Sequence, residues 1–318
     1  MKHPIDMKFM RRAMQLARLG REGAHPNPMV GAVIVDDRSG LIVGEGWHRH
    51  CGEGHAEVNA VAAAEAAGAD FACCTIYVTL EPCAHYGKTP PCAALIADKG
   101  IPRVVVGCVD PFAKVAGRGI SMLREAGAEV VMAPDDVAAA CRELNPVFMT
   151  AHTHGRPYVV LKWARSADGY VDRVRTPQEP AARLSTAATS RLVHKLRADV
   201  DAISVGSRTE LLDRPRLDCR LWPGGRNPRR VSFRRDRPLD VQLAELYRSG
   251  VTSLLVEGGP TLLDSFLASG LWDLMRVETS PVLLGCGVAA PSVPASAMPD
   301  GEVMIGRNSL KTYKNTYK

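Results

Sequence analysis

His55 and Glu57 stand two residues apart at the predicted start of a helix over 55–67. Pro82 and Cys83 follow a predicted strand over 75–80, and Cys92 opens a further predicted helix over 91–99. Imidazole and thiolate groups bind zinc tetrahedrally, and a catalytic zinc takes three protein ligands and leaves its fourth position to water. His55, Cys83 and Cys92 meet that requirement, with Zn2+ as the expected metal. Zinc lowers the pKa of its bound water to about 7, so hydroxide is available at neutral pH. Glu57 is near enough to His55 to reach that water without being a ligand. It is the candidate catalytic residue, carrying a proton from the water to a departing amine. Helix N-termini at His55 and Cys92 would favour thiolate and hydroxide through their dipoles.

The elements that must position these residues follow an α/β pattern. Strands are predicted over 30–35, 75–80, 103–109 and 129–132. Helices are predicted over 55–67, 91–99 and 119–126, each stopped by a glycine (Gly68, Gly100, Gly127), and over 135–144. Asn145-Pro146 reads as the end of the last helix, and 150–157 shows no period, so a domain boundary is expected there. The expected domains are 1–149 and 156–318. A second α/β pattern follows, with strands over 158–163, 202–205 and 253–256 and a helix over 186–197. A chain of 318 residues, 46% hydrophobic and 23% charged, suits two globular domains.

The longest apolar runs fall far short of the roughly 20 residues of a membrane span. Met10, Ala13, Met14 and Ala17 have the spacing of an amphipathic first helix ended by Gly20, and a cytoplasmic protein with no membrane partner is expected. Nine cysteines at irregular spacing do not make a disulfide framework. The net charge of +6 is modest, but eight arginines crowd residues 216–237. That stretch would suit a phosphorylated substrate, a nucleic acid or solvent.

The constellation matches the zinc deaminase signature, with one departure: eight residues rather than two separate Cys83 from Cys92. The stretch TLEPCAHYGKTPPC (79–92), with HPNPMVG (25–31) and GHAEVNA (54–60), resembles the deaminase half of the bifunctional riboflavin-biosynthesis deaminase-reductase family. That resemblance implies a cytidine-deaminase-like three-layer sandwich and a diaminopyrimidinone substrate carrying a ribosylamine phosphate. It also implies that Asn27 lines the base pocket and that His85, Lys88 and Thr89 help to hold the substrate. His48 and His50 are expected at the surface or behind the ligands, not on the metal.

In the second half, Glu257-Gly258-Gly259-Pro260 runs from a strand into a helix ending near Ser269, a junction where backbone N–H groups can approach phosphate. The runs PYVVLKWARSADGYV, LVHKLRADVDAISVGSRTELLDRPRLDCRLW and LLVEGGPTLLDSFLASGLWD resemble the reductase half of the same family. The implication is a shortened dihydrofolate-reductase-like α/β domain that uses NADPH to convert the ribose to a ribityl chain. By position, Ala164, Arg183, Thr209, Asp213 and the run Gly259, Pro260, Thr261, Leu262, Leu263, Asp264 and Ser265 would contact NADPH. Arg197, Leu217, Arg220 and Glu257 would hold the substrate, the arginines as bidentate phosphate ligands.

Two features depart from the family pattern. Ala181 stands where a serine is frequent, and the span between Arg220 and Val251 is short, leaving the basic segment NPRRVSFRRDRPLD (227–240) as a solvated loop. The second domain is therefore expected to be either a minimal reductase or a phosphate-binding remnant beside an active deaminase. A nucleic-acid-editing deaminase is the other alternative, but the arginine stretch carries only Trp222 and Phe233 for stacking on bases. The expected partner is a small phosphoribosylated pyrimidine, with no nucleic acid, and the expected assembly is a homo-oligomer.

Overall fold

The computed structural model describes residues 7–84, 90–112 and 116–316. The chain divides into two compact units, Met1–Thr153 and His154–Lys318. The first begins with α1 (Met7–Arg18), whose Met10, Ala13, Met14 and Ala17 are buried on one face. Strands β1 (Gly31–Asp36), β2 (Leu41–Trp47), β3 (Cys74–Val78), β4 (Arg103–Val106) and β5 (Glu129–Met132) form one sheet in the order β2-β1-β3-β4-β5. The β1 strand runs antiparallel to both its neighbours, and β3, β4 and β5 are parallel.

Successive side chains of a strand point to opposite faces, and β1 shows the consequence. Val33 and Val35 pack with α1 and with Val137 and Cys141 of α5 (Asp135–Glu143). Ala32 and Ile34 pack with α2 (Ala56–Ala66), α3 (Cys92–Asp98) and α4 (Arg118–Glu125). Helices on both faces of one sheet make the expected three-layer sandwich. The β2 strand has no counterpart among the predicted elements: two glycines interrupt its alternation, and its first residues, Leu41 and Ile42, stand exposed rather than in the core. Those glycines position the site. A Cβ at Gly46 would meet Ala56 O at 2.3 Å and one at Gly44 would meet Ala60 O at 2.3 Å, so α2 lies directly on β2.

Asn145-Pro146 does not end the helical region. Proline is pre-organised for the first turn of a helix, and α6 (Pro146–His154) starts on it, running through part of the segment expected to be irregular.

In the second unit, β6 (Tyr158–Arg165), β8 (Ala202–Val205), β9 (Arg229–Arg230), β10 (Ser253–Glu257), β11 (Leu274–Thr279), β13 (Met298–Ile305) and β14 (Asn308–Lys314) form a sheet. Its order is β13-β14-β11-β6-β10-β8-β9. The five strands from β11 to β9 are parallel, and β7 (Tyr170–Asp172) and β12 (Val288–Ala289) make a separate ribbon. One face buries Val159, Leu161 and Trp163 against Leu243 of α9 (Leu239–Arg248) and Leu263 and Phe266 of α10 (Pro260–Ser269). The other carries Val160, Ile203, Leu255 and Leu217, with Leu196 of α7 (Ala187–Ala198) packed against them. Thr186 starts α7 with a capping box to Thr189.

The basic segment 227–240 is not the solvated loop its composition suggested. It contributes β9 beside β8, buries part of Val231 and Phe233 in the core, and sets Phe233 edge-on to Phe266 at 5.2 Å. Buried Gln242 then closes it, accepting from Arg234 N and donating to the carbonyls of Arg234 and Arg237. Few apolar residues suffice because side-chain hydrogen bonds replace them.

Candidate active sites

The start of α2, the end of the β3 segment and the start of α3 bring His55, Cys83 and Cys92 together, with ligand atoms all within 4.8 Å of one another. His55 Nδ1 lies 3.6 Å from Cys83 Sγ and 3.4 Å from Cys92 Sγ. Zinc bonds of about 2.0 Å to nitrogen and 2.3 Å to sulfur at tetrahedral angles place those atoms about 3.6 Å apart, so the donor set fits the metal. Cys92 N, at the start of α3, also donates to Cys83 Sγ at 3.3 Å. The Cys92 side chain holds the Cys83 thiol well below its ordinary value against the effect of burial, with help from His55, while Cys92 itself is pushed up. The pair thus holds one proton between two sulfurs, and both sulfurs are deprotonated on coordination.

Glu57 is 2% exposed, and its Oε2 has no hydrogen-bond partner among the described residues. Burial pushes its carboxyl up to about 7. A buried carboxylate oxygen without a partner costs free energy unless a water or substrate meets it. Its place beside the triad is where such a group would sit.

Asn27 and His48 were only partly legible. His50 is exposed and pairs with Glu53, whereas His48 is 2% exposed, with its ring edge-on to His55 at 5.2 Å. Burial keeps His48 below its ordinary pKa, hence neutral. With Nδ1 donating to Gly54 O at 3.3 Å, its Nε2 accepts from Asn27 Nδ2 at 3.1 Å. That contact turns Asn27, whose loop is further pinned by two hydrogen bonds between Asn145 and the Met29 backbone. His85, Lys88 and Thr89 lie outside the described residues.

In the second unit a cavity of about 1730 Å³ opens at the carboxyl ends of the parallel strands. Its lining includes Ala164, Arg183, Arg197, Leu217 and Glu257, with Thr209 and Asp213 of α8 (Ser207–Asp213) and Gly259, Pro260, Thr261, Leu262 and Ser265. Leu263 and Asp264 do not line it. A helix turns by 3.6 residues, so a contiguous run cannot face one cavity. Leu263 is fully buried in the core, and Asp264 faces a separate shallow depression. Arg220 is also outside, exposed and paired with Asp218. Among the described residues, eleven cationic side chains line the cavity against four carboxylates, an excess that suits several phosphate charges. A Cβ at Gly259 would meet Thr209 Oγ1 at 2.9 Å, so the Gly258-Gly259 turn leaves a backbone cradle at the start of α10 that a larger residue would fill. The cavity fits a phosphate-rich dinucleotide. Leu217, on its wall, holds the left-handed conformation with φ 51, which costs about 1–3 kcal/mol in a non-glycine residue.

Two of the expected ligands are engaged within the protein. Asp213 pairs with Arg175, and Arg197 spans Glu257 with Nε and Nη2 at 2.9 and 2.8 Å while Nη1 donates to Asp218 O. Arg197 therefore orients Glu257, which stands opposite Lys162 across β6 and β10, and only its remaining N–H groups could meet a phosphate. Burial would raise the Glu257 carboxyl, but the Arg197 hydrogen bonds and the charges of Lys162 and Arg197 outweigh it and hold it below the ordinary carboxylate range. A carboxylate depressed on folding contributes stability above its unfolded pKa, about 4.3 for glutamate, and loses it as pH falls through the lower folded value. Acid unfolding followed by the fluorescence of buried Trp163 and Trp272 should therefore have a shallower pH dependence in Glu257→Gln. Superimposable acid limbs would show that the pair carries no such linkage.

The first unit matches the family model for the cytidine and deoxycytidylate deaminase zinc-binding region over residues 4–108. The second matches the RibD C-terminal domain over 157–242 and 236–315. The chain is 35% identical to the riboflavin biosynthesis protein RibD of Aquifex aeolicus, over 90% of this chain and 89% of that one. The chain belongs to the RibD family. RibD of Escherichia coli is 35% identical, over 88% of this chain and 89% of that one. A solved RibD of Acinetobacter baumannii superposes with a TM-score of 0.82 at 30% identity, covering 98% of this chain and 99% of that one. A deaminase/reductase structure from Thermotoga maritima gives 0.80 at 32% identity, covering 97% and 98%. As a RibD, the chain is a bifunctional enzyme of riboflavin biosynthesis with a zinc-dependent deaminase and an NADPH-dependent reductase, and the short span after Arg220 leaves both family models matched.

Proposed function

We propose that residues 1–149 deaminate a phosphoribosylated diaminopyrimidine and that residues 156–318 reduce the product. The substrate is that named for the Thermotoga maritima relative, a diaminohydroxyphosphoribosylaminopyrimidine, converted to 5-amino-6-(5-phosphoribosylamino)uracil and then to its ribityl form. The observation that carries this reading is the buried Glu57 carboxylate, its Oε2 unpartnered, beside the His55, Cys83 and Cys92 triad.

His55, Cys83 and Cys92 would hold zinc, whose chemistry there would be to acidify a bound water. Glu57 Oε2 is placed to take one proton from the attacking water to the ring nitrogen and then to carry the remaining hydroxyl proton to the amino group, so that the C–N bond breaks as the C=O bond forms and ammonia leaves. Asn27, turned by His48, has its side-chain oxygen left to orient the base. In the reductase cavity, NADPH would supply a hydride to C1′ of the ribosylamine, and as the C1′–O bond of the ring breaks its oxygen takes a proton from solvent, leaving the ribityl chain. The start of α10 and Thr209 seat its phosphates, Glu257 and Lys162 hold the sugar, and the arginine-rich wall neutralises the phosphate charge. The enzyme acts in the cytoplasm on a small molecule and assembles as a homo-oligomer.

Stripping the metal with a chelator tests the division of labour. Ammonia release should stop and return on adding zinc, while NADPH oxidation with supplied aminouracil substrate continues. Undiminished ammonia release by metal-free protein would sink the deaminase mechanism, and no NADPH oxidation would leave the second domain a phosphate-binding remnant.

A further inference from the structure

Glu81 is 3% exposed and touches no ligand atom, yet its carboxylate gathers four backbone N–H groups. Oε1 accepts from Gly119 at 3.0 Å and Ile120 at 3.3 Å, and Oε2 accepts from Gly117 at 3.0 Å and Asp110 at 3.3 Å. Its own N–H donates to Cys108 O at 2.9 Å. Gly119 also lies so close that a Cβ there would meet Pro82 O at 2.0 Å. The backbone at 81–82 is thus gripped by the start of α4, and two residues on, Cys83 O accepts from Ala93 N at 3.2 Å in α3.

We propose that Glu81 is a positioning residue of the metal centre: its carboxylate fixes the turn that presents Cys83 Sγ to His55 and Cys92. A carboxylate is required because both oxygens receive two donors each. A glutamine would have to aim its NH2 at two N–H groups, leaving them unsatisfied. Residues behind metal ligands commonly govern affinity by about 10- to 100-fold. The proposal rests on the metal-binding reading of the triad.

The test is zinc affinity by chelator competition on the full chain, with the absorption spectrum of the cobalt(II)-loaded protein as a report on ligand geometry. Glu81→Gln should bind zinc about 10- to 100-fold more weakly and shift the cobalt spectrum, and Glu81→Asp, which keeps the charge, should recover part of the loss. Gly117→Ala approaches from the other side. It adds a methyl in open space at φ 78, straining the loop without touching Glu81 or the core, and should weaken binding in the same direction by a smaller factor. Wild-type affinity and spectrum in both Glu81→Gln and Gly117→Ala would overturn the proposal, even if metal-free Glu81→Gln melts at a lower temperature. A wild-type protein that binds neither ion would instead remove the metal reading and this proposal with it.

Discussion

Glu57→Gln should lower ammonia release by about 10²–10⁴-fold while the protein still binds zinc stoichiometrically, because general acid–base catalysis supplies a factor of that size. The substitution preserves shape, and the triad keeps its backbone anchors: His55 stands at the N-cap position of α2, Cys83 Sγ accepts from Cys92 N and Cys92 opens α3, while the amide can still meet the Cys92 sulfur that Glu57 touches. It removes the one group able to move protons at Oε2, which is buried and unpartnered. The reductase lies in the other unit, so NADPH oxidation with supplied aminouracil should be unchanged. Steady-state ammonia assays with metal analysis check this, and full deaminase activity with zinc bound would overturn the assignment of Glu57.

The second large effect is on stability. Asp273→Ala should destabilise the second unit by about 3–5 kcal/mol, the usual cost of breaking a buried ion pair by removing one partner. Asp273 receives Arg156 Nη1 at 2.7 Å and Nη2 at 3.0 Å, with side chains 3% and 8% exposed, and it also accepts from Val159 N at 2.7 Å. Truncation withdraws the carboxylate from a buried guanidinium and from a strand N–H at the start of β6, where the sheet is anchored. Against typical domain stabilities of about 5–15 kcal/mol the loss is severe. Urea unfolding checks it; a change below about 1 kcal/mol would place the pair among those that contribute little.

The metal triad was legible because its information is local. Residue type, spacing and element ends together specify a His-x-Glu at one helix start and cysteines at a strand end and a helix start, and the chain folds them to one point. His48 and Glu81 were not, since their roles arise from partners 21 to 39 residues away in sequence, made neighbours only by the sheet. The glycine-rich junction before α10 was readable as a phosphate cradle, but the run after it was read as a block, and helical rotation sends Leu263 to the core and Asp264 elsewhere. Arginine-rich composition suggested solvent for 227–240. Gln242, a single buried side chain, satisfies its backbone and folds it onto the sheet. Arg197 illustrates the general limit: its type fits a phosphate, but only the structure shows the fork already holding Glu257.

The central claim is that one chain performs both steps. Its most direct test is to incubate the 318-residue chain with the diaminopyrimidine ribosyl phosphate, with and without NADPH, and identify the products by mass spectrometry. The expected product is the ribosyl aminouracil alone without NADPH and the ribityl aminouracil with it. Recovery of the ribosyl aminouracil under both conditions would contradict the reductase half, and recovery of unchanged substrate by zinc-loaded protein would contradict the deaminase on which everything else rests.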